Sequence, residues 1–246
     1  MLYHISTAEA VDAVRRARAR SLPVWAETCP HYLFMTDEVL DKPGIEGAKW
    51  MCSPPQRTEA DQEALWQALS DGDLQVVSSD HAPYRFDETG KLSAGRDVSF
   101  DKIANGLPGL EVRLPLMFDA MVSKGRLGVE KFVELTATVP AELYGLETKG
   151  RLEPGADADI AIWDVDRETM FGEDDLQYNV GYNPWAGRSV KGWPVQVIAR
   201  GEVIVRDGRF SAEPGRGQFL MRRGQAMPQP GSTPAAEVVA IEATRS

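Results

Sequence analysis

The sequence predicts an α/β protein in which parallel strand–helix units come first and antiparallel strands follow. Two changes of pattern along the chain predict this. Over residues 1–148, short apolar runs alternate with amphipathic helical segments, as in parallel β/α units. Over 149–210 the period changes to 2, and the segment VQVIARGEVIVRDGRF (195–210) predicts a hairpin around Arg200-Gly201. Pro, Gly, Gln and Ser dominate 211–246, which predicts an extended arm or a disordered tail.

Each element of the first part has a local sequence signal. Four apolar runs are predicted to be strands: Leu2–Ile5, Pro23–Thr28, Lys49–Cys52 and Leu74–Ser78. Ser6-x-x-Glu9 and Thr58-x-x-Asp61 have the spacing of capping boxes and predict that helices begin there. Further helices are predicted at Leu110–Ser123, Val129–Thr138 and Pro140–Tyr144. The segment 84–107 is a long loop, a length typical of functional or disordered loops.

Composition argues against several classes of partner. The 246 residues carry a formal net charge of −10, which disfavours nucleic acid because phosphate binding needs clustered Lys and Arg. No run approaches the roughly 20 apolar residues of a membrane span. Glu9 and Asp12 come too early for the apolar region of a signal peptide. Cys29 and Cys52 are the two cysteines and lack zinc-type spacing, so we expect a reducing cytoplasm.

The candidate site residues lie where predicted strands end. The chain has three histidines, His4, His31 and His81. His4 is near the C-terminal end of the first predicted strand, and Asp80 follows a later one. Because the C-terminal ends of parallel strands form one face, we expect these two residues to converge. A neutral imidazole and a carboxylate are suitable zinc ligands, and a carboxylate beside an activated water can accept its proton.

Residue type alone leaves structural alternatives open for every candidate. A histidine at a strand end is often simply packed and hydrogen-bonded, and an aspartate before a loop is often a turn residue. For His31, after a proline, packing or hydrogen bonding is favoured over ligation. His81 follows Asp80 directly, and adjacent strand residues face opposite ways, so His81 is not expected to join the site on the same footing. Ser53 could be a turn residue, or could present a backbone C=O or N–H to a ligand, and Asn105 could simply belong to an Asn-Gly turn.

Six segments, taken in order, carry a resemblance to a known family. They are YHIST, AETCPHYL, GAKWMCSPPQR, LQVVSSDHAPY, FDKIANGLPGLEVRLPLMF and GRLEPGADADIAIWD. Together they resemble the cyclic amidohydrolases, specifically the dihydropyrimidinase and D-hydantoinase group, and correspond to the C-terminal half of such an enzyme. The resemblance implies a partial (β/α)8 barrel over 1–148 and a β-sandwich portion over 149–210. It also implies that a preceding half is absent from this sequence.

The same resemblance implies roles for four residues. His4 and Asp80 correspond to metal ligands, and Asp80 also to the catalytic residue that carries a proton to the leaving nitrogen. Ser53 and Asn105 correspond to positions whose backbone groups hold the imide ring of the substrate. The complete family site holds two metal ions, usually zinc, and needs further ligands: a His-x-His pair, a carboxylated lysine and another histidine. This chain has no His-x-His, so we expect it to be inactive alone.

The implied function is hydrolysis of a dihydropyrimidine or a 5-substituted hydantoin to an N-carbamoyl amino acid. One alternative is a non-catalytic assembly protein of the same family, which the retained His4 and Asp80 disfavour. The other is an allantoinase- or dihydroorotase-type ring-opening enzyme, which CSPPQR and NGLPGLE disfavour. The resemblance further implies a small cyclic ureide as substrate, no nucleic-acid or membrane partner, a cytoplasmic location, and a homo-oligomer, dimer or tetramer, for the full-length protein.

Overall fold

The computed structural model describes residues 1–222. In the first part, helices alternate with short parallel strands: α1 Ala8–Ala19, β1 Glu27–Thr28, α2 Pro30–Phe34, α3 Glu59–Asp71, β2 Val76–Val77, α4 Leu110–Phe118, α5 Val129–Val133 and α6 Val139–Leu143. In the second part, four antiparallel strands form one sheet in chain order: β3 Ile160–Met170, β4 Ser189–Ala199, β5 Glu202–Arg206 and β6 Arg209–Phe210. This combination of helices with a parallel and an antiparallel sheet confirms the predicted α/β class.

Three neighbouring segments build the parallel layer. Leu2 forms a parallel bridge with Ala26, just before β1, and β1 pairs in parallel with β2. The Ile5 N–H donates to the Glu27 carbonyl at 2.9 Å, which extends the pairing along the first segment. Because the three segments run in the same direction, the residues that follow them meet at one edge of the layer.

Helices α1 and α3 pack against each other through capped N-termini. The capping box predicted at Thr58 and Asp61 is confirmed, and the Asp61 carboxylate also accepts from the Ala8 N–H at 2.9 Å. The box predicted at Ser6 is wrong, because Thr7 caps α1 by accepting from the Ala10 N–H. Ser6 is buried at the end of the first parallel segment, so the helix begins one residue later.

One hydrophobic core joins the two parts of the chain. Phe118 of α4 stacks on Trp163 of β3, with ring centroids 4.3 Å apart and planes inclined by 7°. The buried Trp185 indole donates to the Pro108 carbonyl at 3.1 Å. Gly192 of β4 lies so close to Phe118 that a β-carbon there would be 2.3 Å from the ring. The antiparallel sheet therefore packs directly on the helix that follows the long loop.

The predicted strands are shorter in the structure, and one is absent. The run Lys49–Cys52 is not a strand: residues Glu46–Trp50 form a 3-10 turn. The Met51 carbonyl accepts from the Gly106 N–H at 2.8 Å, a partner outside any strand. The first predicted strand contributes a single bridge at Leu2, and the second and fourth shorten to β1 and β2.

The predicted hairpin and the later helices are confirmed. Ala199 pairs with Glu202 across the two-residue turn Arg200-Gly201, and both turn residues have left-handed φ angles, 50° and 80°. That geometry matches the right-handed twist of paired strands. Helices α4 and α5 continue as π-helical turns at Asp119–Ser123 and Glu134–Thr138.

The division of the chain into half-barrel (1–148), sandwich portion (149–210) and arm (211–246) stays a prediction. Of the predicted arm, residues 211–222 are described and contain no helix or strand, and 223–246 lie outside the described residues. Within residues 1–222, no helix has the length and apolar character needed to cross a bilayer.

Candidate functional site

Polar side chains gather at the edge where the parallel segments end. Glu27 of β1 is buried, and the Ser78 hydroxyl donates to its carboxylate at 2.9 Å. Burial raises the pKa of Glu27, the Ser78 hydrogen bond opposes this, the charge of Asp80 raises the pKa further and that of His4 lowers it. Glu27 therefore lies within electrostatic reach of both His4 and Asp80, which the structure places at this edge.

His4 and Asp80 share an unusual backbone conformation. Their φ angles are 46° and 44°, in the left-handed region that residues other than glycine rarely adopt. Such conformations concentrate at functional sites, where surrounding contacts hold them in place. At both positions the chain leaves the strand direction abruptly, and it does so at the two predicted metal ligands.

Cys29, His31 and Asp80 form a group that could hold a metal ion. Their ligand atoms all lie within 4.8 Å of one another. Cys29 directly follows β1 in extended conformation and Pro30 begins α2, which places His31 in the first helical turn above the strand end. The His31 imidazole is 2% exposed and the Asp80 side chain 36%, so this carboxylate is the part of the group that solvent or a substrate can reach.

The His31 imidazole is neutral and lacks a hydrogen bond at one nitrogen. Burial, and to a smaller degree the charge of His4, lowers the pKa of His31 to about 3. Its Nε2 has no hydrogen-bond partner within the described chain and lies 3.8 Å from Asp80 Oδ2, beyond hydrogen-bonding distance. A buried nitrogen without a partner needs an explanation, and a neutral imidazole is the form that binds metals.

Cys29 is the weakest donor of the group. Its thiol lies 3.4 Å from the Ser78 hydroxyl, and burial raises its pKa far above the ordinary value. Metal binding needs the thiolate, so ligation would have to overcome this shift. The donor set therefore fits part of a metal site, with Asp80 and the neutral His31 as its best atoms and fewer ligands than the four that zinc usually has.

Sequence reasoning missed part of this arrangement. It favoured packing for His31, and the ring does pack on Tyr32, with centroids 4.1 Å apart, but Nε2 faces Asp80. It gave no role to Cys29 or Glu27. The available signal was position, since Glu27 lies in the short strand β1 and Cys29 directly follows it, just as Asp80 follows β2.

The His81 side chain hydrogen-bonds to the start of α4 and does not join this group. Its Nδ1 accepts hydrogen bonds from the N–H groups of Gly109 and Leu110, at 3.1 and 3.2 Å, at the start of α4. Burial lowers the pKa of His81, which favours the neutral ring that this acceptor role requires. The imidazole thus connects the segment after β2 to the start of α4.

Ser53 and Asn105 are exposed residues on two partly buried segments that lie side by side. The turn at Ser53-Pro54 is fixed because the Pro54 carbonyl accepts from the Tyr32 hydroxyl at 2.9 Å and from the Cys52 thiol at 3.1 Å. Burial and then the charge of Asp80 raise the pKa of Cys52 to about 12, which places the residue before Ser53 near Asp80. After Asn105, the chain returns to Met51 through the Gly106 hydrogen bond described above.

The chain is similar to a family of known proteins over most of its length. The amidohydrolase family model matches residues 4–204. The D-hydantoinase of Geobacillus stearothermophilus is 43% identical over 220 residues, which cover 89% of this chain and 46% of that protein. The D-hydantoinase of Ralstonia pickettii is 40% identical over 223 residues, 90% of this chain and 48% of that protein.

Solved structures give the same result. The dihydropyrimidinase from Brevibacillus agri NCHU1002 is similar to this chain with a TM-score of 0.87 and 39% identity, over 92% of this chain and 49% of that one. The chain therefore spans about half the length of the relatives that it matches.

Proposed function

The chain belongs to the amidohydrolase family and, within it, to the dihydropyrimidinase and D-hydantoinase group, and from this premise we propose that it provides part of the active site of a cyclic ureide hydrolase. The substrate is a dihydropyrimidine or a 5-substituted hydantoin, and the product is an N-carbamoyl amino acid. The observation that carries the proposal is the meeting of His31 and Asp80 at the strand edge that also holds His4.

The proposed metal centre is binuclear and contains zinc. Asp80 and His4 are the ligands that the resemblance implies, and the neutral His31 is a further candidate ligand beside Asp80. A bound ion would supply a water of lowered pKa as the nucleophile. The half-exposed Asp80 carboxylate is placed to accept a proton from the attacking water and to deliver it to the ring nitrogen that leaves. His31 is neutral and lies beside Asp80, so it adds no positive charge that would weaken Asp80 as a base.

The backbone groups of Ser53 and Asn105 are proposed to hold the imide portion of the substrate ring. Both residues are exposed, and both lie on segments that hydrogen bonds fix to neighbouring chain. A ring held by backbone groups can be oriented with its carbonyl towards Asp80 without any side-chain movement. Relatives named for dihydropyrimidines and hydantoins support this substrate class.

The described residues offer fewer ligands than two ions need, so we propose that the other ligands come from polypeptide outside these 246 residues. The chain alone is then inactive. A cytoplasmic location and a homo-oligomer, dimer or tetramer, stay predictions for the full-length protein.

The test is complementation. The chain is joined to the remaining half of a D-hydantoinase relative, giving what we call the complemented enzyme, and zinc-dependent hydrolysis of dihydrouracil and of a 5-substituted hydantoin is measured. We expect turnover by the complemented enzyme and none by the chain alone. Asp80→Asn should abolish turnover, whereas Asp97→Asn, a matched change of an exposed carboxylate in the long loop, should preserve it. Turnover by the chain alone, or by the Asp80→Asn enzyme, would contradict the proposal.

A further inference from the structure

Lys91 is a fully buried lysine in the middle of the long loop 84–107. Its relative exposure is 0%, and it is among the largest buried side chains of the protein. No carboxylate within residues 1–222 forms an ion pair with it. Burying an ammonium group without a counter-charge is costly, so stability alone does not explain a lysine at this position.

The Lys91 ammonium joins two separate segments of backbone. It donates to the Ala104 carbonyl at 2.8 Å and to the Met51 carbonyl at 3.2 Å. Ala104 immediately precedes Asn105, and Met51 stands two residues before Ser53. One side chain thus reaches the backbones that lead into both proposed substrate-binding residues.

A second contact shows how closely these segments are fitted. The Met51 carbonyl that receives Lys91 also accepts from the Gly106 N–H at 2.8 Å. Gly106 has a φ of 144°, and a β-carbon there would lie 2.4 Å from the Ala82 β-carbon. The backbone around residue 105 therefore touches the segment that follows Asp80, and a small shift would move it relative to the reacting group.

The loop itself is folded so that it delivers Lys91 to this position. The Lys91 N–H donates to the Arg85 carbonyl at 2.8 Å. Gly90 passes so close to Arg85 that a β-carbon would lie 2.1 Å from the same carbonyl oxygen. The turn 85–91 is closed tightly on itself, and it directs the Lys91 side chain into the protein rather than to solvent.

We propose that Lys91 is a positioning residue, whose ammonium group ties the Met51 and Ala104 carbonyls together and so sets the separation of the Ser53 and Asn105 backbones that bracket a cyclic imide. The inference rests on the proposed function, because it assigns those two backbones to the substrate. It adds that recognition of the ring depends on a buried cation that never touches the substrate. Because the two backbones would hold the ring before and during the reaction alike, a change in their separation should mainly weaken substrate binding.

The experiment compares Lys91→Met with Lys102→Met, a lysine of the same loop whose side chain is 64% exposed. Amide hydrogen exchange is measured on the chain, and KM and kcat for dihydrouracil on the complemented enzyme. We expect Lys91→Met to lose protection at the Gly106 amide and to raise KM about tenfold or more, with a smaller change in kcat. Lys91→Gln, which keeps an N–H donor, should recover part of both effects, and Lys102→Met should change neither.

The outcomes separate the inference from the proposed function. Unchanged Gly106 protection in Lys91→Met, or lost protection with an unchanged KM, would overturn the positioning role. Should Lys91→Met not fold, the same two readouts on Lys91→Gln decide. If the unsubstituted complemented enzyme hydrolyses no cyclic ureide while Lys91→Met still loses Gly106 protection, the proposed function fails and the backbone link through Lys91 stands without a substrate role.

Discussion

The buried Lys91 ammonium predicts an unusual alkaline dependence of stability. Burial lowers the pKa of Lys91 from the ordinary 10.5 to about 8 in the folded chain. Below pH 8 both folded and unfolded chains carry the proton, and the full cost of burial remains. Between pH 8 and 10.5 the unfolded chain binds a proton that the folded chain has released, so the free energy of unfolding rises with pH.

The magnitude follows from the size of the pKa difference. At about 1.4 kcal/mol for each unit of pKa, Lys91 should contribute a rise of about 3 kcal/mol across this window. For a chain of this length that corresponds to a shift in Tm of about 6–12 °C. The neutral amine still has two N–H donors, so the hydrogen bonds to the Met51 and Ala104 carbonyls survive deprotonation.

The assay is urea or thermal unfolding followed by tryptophan fluorescence at pH 7.5, 8.5, 9.5 and 10.5. Other groups titrate in the same range, so the informative quantity is the difference in unfolding free energy between the unsubstituted chain and Lys91→Met. That difference should move by about 3 kcal/mol in favour of the unsubstituted chain as pH rises. Lys102→Met should show no such trend. A difference that stays constant from pH 7.5 to 10.5 would refute the reasoning, because it would mean that Lys91 is already hydrated or paired.

Three further predictions concern other residues. In the complemented enzyme, His4→Ala removes a proposed ligand and should lower zinc affinity by about 100-fold or more, beyond the about 10–100-fold that loss of a residue supporting a ligand costs. Cys29→Ser, at a thiol kept protonated by burial, should leave the affinity within about twofold, and competition with a chromogenic chelator measures both. The His31 pKa of about 3 lies below that of the unfolded chain, so stability should fall by about 1.4 kcal/mol per unit as pH drops from 6.5 towards 3. His31→Gln should remove this contribution to the pH dependence of the free energy of unfolding, which urea unfolding at pH 4–7 measures. Gly192→Ala should destabilise the chain by about 2 kcal/mol or more, since its β-carbon would lie 2.3 Å from Phe118 at a φ of 96°; an unchanged Tm would contradict the close packing.

Local sequence signals correctly predicted the structural elements that depend on residues close together in sequence. The capping box at Thr58 and the Arg200-Gly201 hairpin depend on residues a few positions apart, and both are present. The failures come from partners far away in sequence. Lys49–Cys52 has the composition of a strand, but the Met51 carbonyl is used by Lys91 and by Gly106, and no local pattern reveals such pairing.

The candidate site shows the same contrast between features with a local sequence signal and features that depend on distant residues. Asp80 and His4 stand at predicted strand ends, so position and residue type made them candidates, and the family resemblance gave them their implied role as ligands. The importance of His31 depends on burial and on an unpaired nitrogen 3.8 Å from Asp80, and neither can be read from the letters CPHYL. Lys91 was hidden for a related reason, because a lysine in a polar loop is normally expected to face solvent.

Several energetically unfavourable features occur around the candidate site, and this supports a functional site on grounds other than resemblance. His4 and Asp80 have left-handed backbones where glycine would cost less, yet both positions keep side chains that can ligate metals. Within residues 1–222, His31 leaves a buried nitrogen without a hydrogen-bond partner, and no carboxylate pairs with the buried Lys91. Much of the remaining described chain follows the rules of stability, with capped helices and a regular hairpin, although left-handed residues also occur at Ser21, Asn179 and Asp207. Proteins break such rules where binding or catalysis needs the strained arrangement, so the edge that holds these features is where we expect the chemistry to occur.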